Sequence, residues 1–209
     1  IFIRHFYESE IAIFLFFNKR NEKVIGENII GISVYMGYAP YLKMSNGQYV
    51  EFLANFINLY HKKYSQQKFV LFSFDSGYNS DLPMAAKVLG SIRKKENVKI
   101  VSYCNLDDFI LEYKKCKFIL GTRFHSIVLA IKYNIPFLAI SYSNKTDNLM
   151  NYLNINRYLK ISECNQIQLD SLIEYVQNGI KGNVIDIEKI KMDSKKHFDE
   201  LESFLHSLN

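Results

Sequence analysis

Tryptophan is absent from this sequence, and proline and glycine are scarce, at 3 and 9 of 209 residues. So few chain breakers exclude a collagen-like or linker-rich chain and argue against a many-turned β-sandwich. Cysteine is scarce too: Cys104, Cys116 and Cys164 are odd in number and widely spaced, with no C-x-x-C pair and no histidine at metal spacing. A disulfide framework or structural zinc site is not expected, no metal is assigned, and a reducing, cytoplasmic setting is the default. The longest apolar run near the start, Ile11–Phe17, is far short of the roughly 20 residues that span a bilayer. With Glu8 and Glu10 before it and Lys19 and Arg20 after it, the run also lacks the order of a signal peptide. No G-x-G-x-x-G follows a strand, and there is no P-loop, G-x-S-x-G elbow or H-E-x-x-H. Nicotinamide, nucleoside-triphosphate, serine-hydrolase and zincin readings lose support accordingly.

Apolar side chains are abundant. Hydrophobic residues make up 48% of the chain and charged residues 22%, so a sizeable core is expected in one large domain or two small ones. A net charge of +5 is spread over Lys62-Lys63, Arg93–Lys95, Lys114-Lys115 and Lys195-Lys196, interleaved with acids. Such spacing reads as solvated faces with a modest bias toward acidic ligands or membrane surface charge, and it speaks against nucleic acid. The chain begins at Ile1 rather than Met, which reads as a piece whose N-terminal half is missing.

The dominant pattern is alternation. Short β-branched or aromatic runs at Asn28–Tyr35, Phe69–Phe74, Val98–Tyr103, Phe118–Gly121, Pro136–Tyr142 and Tyr158–Ile161 predict strands. Between them, helical spacing predicts helices over Gln48–Tyr64, from Ser80 or Asp81 to about Lys95, and over Leu106–Cys116, Ser126–Tyr133 and Asn144–Leu153. Two more, over Leu169–Gly179 and Ile187–Leu208, close the chain. The class is α/β: a Rossmann-like parallel sheet with helices on both faces. In such sheets ligands bind beyond the carboxyl ends of the strands, so the loops after Tyr35, Phe74, Tyr103, Gly121 and Tyr142 should share one rim.

Three rim loops carry candidate chemistry. In Gly121-Thr122-Arg123-Phe124-His125 a buried strand runs into a helix N-terminus, a ready anion site, where Arg123 adds a planar fork for phosphate or carboxylate. His125, with an ordinary pKa of about 6.5, suits a proton donor or anion ligand; a plain Arg–acid pair and a loop histidine are the structural alternatives. Ser141-Tyr142-Ser143-Asn144-Lys145 repeats the arrangement with a lysine. Asp75 to Asp81 is a polar loop whose carboxylates could accept sugar hydroxyls, although Asp81 serves equally as a helix cap. His5, His61, His197 and His206 lie on periodic or terminal segments and read as structural or exposed.

The stretch F-I-L-G-T-R-F-H-S-I-V-L-A-I-K-Y-N-I-P-F-L-A-I-S-Y-S-N-K resembles the signature of the polysaccharide pyruvyl transferase family, with I-I-G-I-S-V-Y, F-V-L-F-S-F, Asp81 and L-D-D-F-I-L-E-Y-K-K-C as preceding elements. The resemblance covers about Asn28 to Leu208. It implies the C-terminal half of a GT-B-like two-domain enzyme: residues 1–27 as a remnant of the preceding domain, and 28–209 as the Rossmann-like donor-binding domain. It also implies transfer of pyruvate from phosphoenolpyruvate to a sugar hydroxyl in a cell-surface polysaccharide. The partners would then be phosphoenolpyruvate, as donor substrate rather than cofactor, and a sugar or lipid-linked oligosaccharide acceptor, in the cytoplasm or at the inner face of the membrane. Arg123 and His125 match the family's R-x-H and would hold the donor; Tyr142 and Lys145 match a later Y-x-x-K. For that chemistry His125 suits a general acid or the group that stabilises the departing phosphate. Phe124 replaces the usual leucine. Tyr35 stands at the strand end where many members carry an arginine. A nucleotide-sugar glycosyltransferase and a non-catalytic subunit of a polysaccharide-assembly complex are the alternatives; the former would need an acid for the ribose, and Glu163, the nearest, lacks a convincing frame.

Overall fold

The computed structural model describes residues 27–36, 44–75 and 80–180. Among these, six strands form one parallel sheet: β1 (Ile29–Ser33), β2 (Lys68–Ser73), β3 (Val98–Ser102), β4 (Phe118–Gly121), β5 (Phe137–Ser141) and β6 (Leu159–Lys160). Their spatial order is β3-β2-β1-β4-β5-β6. This is the doubly wound order, in which the direction of winding reverses between β1 and β4.

The inner strands β1, β2, β4 and β5 are largely apolar because both faces are covered, whereas the edge strands β3 and β6 carry the exposed Lys99 and Lys160. Ile30, Ile32, Phe69, Leu71, Phe118, Leu120, Leu138 and Ile140 face one core. It is closed by α1 (Asn46–Lys63), α2 (Leu82–Ser91) and α6 (Leu169–Gly179). Ile29, Val70, Phe72, Ile119 and Ala139 point the other way. They meet α3 (Leu106–Lys114), α4 (Phe124–Lys132) and α5 (Asn144–Tyr152). The pleat's two-residue period thus sorts each strand between two helical layers.

Local chemistry adjusts several ends. α1 starts two residues before the predicted Gln48, because Ser45 and Gln48 form a reciprocal capping box. α2 stops at Ser91, short of the predicted Lys95. Ile92 turns extended to bury its side chain, and Asn58 takes the Arg93 amide at 2.9 Å. Asn105 caps α3, its side-chain oxygen accepting the amides of Asp107 and Asp108. α4 begins at Phe124 instead of Ser126, which puts His125 in its first turn. β1 ends at Ser33, so Tyr35 lies beyond the strand. The predicted helix over 187–208, and the segment 1–27 except for Glu27, lie outside the described residues.

Gly31, on the central strand, is needed for space: a Cβ there would stand 2.7 Å from Ile119 Cδ1, 2.9 Å from Phe72 Cε2 and 3.0 Å from Cys116 Sγ. Gly31→Ala is expected to lower stability by about 1–3 kcal/mol, the usual cost of overpacking a filled core. Urea unfolding checks this, and a midpoint equal to that of the unsubstituted chain would refute it.

Candidate active site at the strand-order reversal

Ser33 is the last residue of β1 and is fully buried. Its hydroxyl oxygen accepts the amide of Thr122 at 2.8 Å and that of Arg123 at 3.1 Å, tying the exits of β1 and β4 together. The Thr122 hydroxyl shares a 2.8 Å hydrogen bond with the Tyr49 phenol of α1. Burial pushes that phenol well above its ordinary pKa, so it stays neutral and serves as a strut.

Arg123 precedes α4 with an extended backbone and no side-chain cap. Its guanidinium forks onto Asp81, Nε to Oδ2 at 2.9 Å and Nη2 to Oδ1 at 2.6 Å, with Asp75 Oδ2 3.8 Å from Nη2. Burial by itself pulls the Arg123 pKa down. The hydrogen bonds and charge of Asp81, with lesser contributions from Tyr142 and Asp75, lift it above its ordinary value, so the group is a permanent cation. The guanidinium carbon also lies 4.7 Å from the centre of the Tyr35 ring, which stacks on Tyr142 at 3.9 Å and 19°. Four predicted residues, Tyr35, Asp81, Arg123 and Tyr142, therefore form one cluster at the reversal point.

Asp81 corrects the sequence reading. It occupies the position before α2, but its carboxylate makes no cap bond. Wholly buried, it accepts the amides of Met36 at 2.9 Å and Asp75 at 3.3 Å besides the Arg123 fork. Four donors occupy its two oxygens, which leaves it no capacity for a sugar hydroxyl. Tyr35, read from sequence as a missing cation, serves as a platform for one.

His125 and Lys145 sit in the first turns of α4 and α5, and both side chains are exposed. They share a neighbour in Phe124: the imidazole lies edge-on to its ring at 5.9 Å between centroids, and the Lys145 ammonium is 5.9 Å from its centre. Anions are favoured at both helix starts. Cys116 and Cys164 are buried and take no part. Burial pushes Cys116 far up and Cys164 up to about 12, which keeps both as inert thiols. Among the described residues no three His, Cys, Asp or Glu side chains gather as a metal site, and no helix is long and apolar enough to cross a membrane.

Sequence reasoning missed Ser33, Thr122 and Tyr49. Ser33 carried a faint signal, a small polar residue closing an otherwise apolar strand, whereas Tyr49 falls one residue from Val50 in an apolar helical stripe.

Residues 12–144 match the profile of polysaccharide pyruvyl transferases, a span holding Tyr35, Asp81, Arg123, His125 and Tyr142 and ending one residue before Lys145. The chain belongs to the polysaccharide pyruvyl transferase family. Comparison of this pyruvyl transferase family member with curated proteins yields no match. Among solved structures, it is similar to an O-GlcNAc transferase mutant, K341M, from Thermobaculum terrenum: 11% identity, TM-score 0.47, covering 90% of this chain and 37% of that one. It is also similar to a Leishmania major protein described as a MAR1 ribonuclease, at 10% identity and TM-score 0.43, covering 78% of this chain and 98% of that one.

Proposed function

We propose that this chain binds phosphoenolpyruvate and takes part in transferring its pyruvyl group to a sugar hydroxyl, closing a ketal in polysaccharide biosynthesis, in the cytoplasm or at the inner face of the membrane. The observation that carries this reading is the Arg123 guanidinium held at the strand-order reversal, beside two helix starts that bear His125 and Lys145. A guanidinium has five N–H donors and the fork to Asp81 uses two, so it can hold a carboxylate and an external oxyanion together. Lys145 and the first-turn amides of α4 and α5 complement the remaining negative charge of a polyanionic donor.

In this reading His125 supplies a proton, to the enol methylene or to the departing phosphate. Protonation of the methylene leaves positive charge at the carbon bearing the phosphate. A sugar hydroxyl adds to that carbon and releases its proton. The carbon–oxygen bond to phosphate then breaks, and a second hydroxyl adds, losing a proton as the ketal closes. Pyruvyl ketal and inorganic phosphate are the products.

A donor at one hundred times its Kd stabilises the folded chain by about 2.7 kcal/mol. For a domain of this size that raises Tm by about 5–10 °C. Phosphoenolpyruvate is expected to give this shift and nucleotide sugars none. Protection by nucleotide sugars alone would favour a glycosyltransferase. Protection by neither would favour a non-catalytic subunit, a second reading supported by Arg123 being already paired with an internal carboxylate.

A further inference from the structure

We infer that Asp81 is a positioning residue for Arg123: its buried carboxylate sets the plane of the guanidinium, so that a donor anion meets a fixed edge. The inference rests on the reading of Arg123 as a donor-binding group. Its basis is the way Asp81 is held. The carboxylate is anchored by amides from two separate strand exits, Met36 after β1 and Asp75 after β2, before it receives the guanidinium that follows β4. Those anchors are 45 and 6 residues from Asp81 in sequence, so it cannot follow a movement of either segment alone. Nε and Nη2 fix the guanidinium in its plane, and the Tyr35 ring at 4.7 Å, backed by Tyr142, bounds it on one face. A long arginine side chain would otherwise sample many rotamers, and ordering it would weaken donor binding.

An ordinary structural ion pair has the same geometry, but the two roles predict opposite signs. Asp81→Asn removes a negative charge 2.6 Å from the guanidinium, so Coulomb attraction alone should tighten the binding of a polyanion. It also turns an N–H₂ group toward backbone amides or guanidinium donors, which breaks half of the cradle. If Asp81 positions Arg123, calorimetry on the full chain should show phosphoenolpyruvate binding weakened at least tenfold by Asp81→Asn. Inorganic phosphate, a small anion with less need of a fixed edge, should bind as before or more tightly. In turnover by the intact protein, KM for the donor should rise by more than kcat falls. Unchanged or tighter phosphoenolpyruvate binding would overturn the inference.

Should Asp81→Asn fail to fold, Arg123→Lys gives the same test, because it keeps the charge and loses the fork; affinity within twofold of the unsubstituted chain would then sink the idea. If the unsubstituted chain does not bind phosphoenolpyruvate, the proposed function fails and the positioning role is decided separately. In arginine-labelled protein the Arg123 Nε–H resonance should be protected from exchange, and Asp81→Asn should remove that protection. A resonance equally protected in both would overturn it.

Discussion

His125→Asn is expected to slow pyruvyl transfer by the intact protein by about 10²–10⁴-fold, the usual worth of a positioned general acid. Asparagine can still donate a hydrogen bond to an oxyanion from the same helical turn, but it has no proton to deliver near neutral pH. Donor affinity should therefore change little while kcat falls. The exposed position of His125 in the first turn of α4 leaves it accessible to a bound ligand and lets the substitution be made without disturbing the core. Steady-state kinetics from pH 5.5 to 8.5 check this. Full turnover by His125→Asn across that range would remove the histidine from the chemistry.

The second large effect is on folding as much as on binding. Arg123→Ala strips the partner from a carboxylate with no exposed surface, and breaking a buried pair from one side costs about 3–5 kcal/mol. The lower end, about 3 kcal/mol, is expected here because the Met36 and Asp75 amides still serve Asp81 and the arginine side chain is itself 18% exposed. Removing the stranded charge as well, in Arg123→Ala with Asp81→Ala, should recover part of the loss, since most of it is the unpaired carboxylate. Urea unfolding of the two single variants and the double variant closes the cycle. Strict additivity would mean the two residues are not energetically coupled, against the observed fork. Phosphoenolpyruvate binding should be lost in both Arg123 variants.

Much of the fold was legible because a sheet covered on both faces writes itself as continuous apolar runs. Phe118–Gly121 and Leu169–Gly179 lie as the sequence predicts. Ends were harder, because they depend on partners distant in sequence: α2 is cut short by Asn58, which belongs to α1. The same holds for the site. Arg123, His125 and Lys145 were visible as polar residues where apolar strands run into helices. The role of Asp81 was not, since a cap and an ion-pair partner have the same residue in the same place, and only the fold shows that Arg123, 42 residues on, reaches it. In the sequence Tyr35 shows only a missing positive charge, whereas its flat face is what the neighbours use. Ser33 and Thr122 are 89 residues apart, and no local pattern announces a contact of that range.

That same separation bears on how the protein is made. β1 lies between β2 and β4, and β4 is synthesised roughly ninety residues after it. At a translation rate of about 5–20 residues per second, β1 leaves the ribosome some 4–18 seconds before its second neighbour exists. Once β2 has emerged within that interval and paired on one side, the strand Ile29–Ser33 still offers the nascent chain an open hydrogen-bonding edge on the other. The centre of the finished sheet is thus a seam that closes only when β4 arrives, and the crevice that lies over it cannot assemble before then.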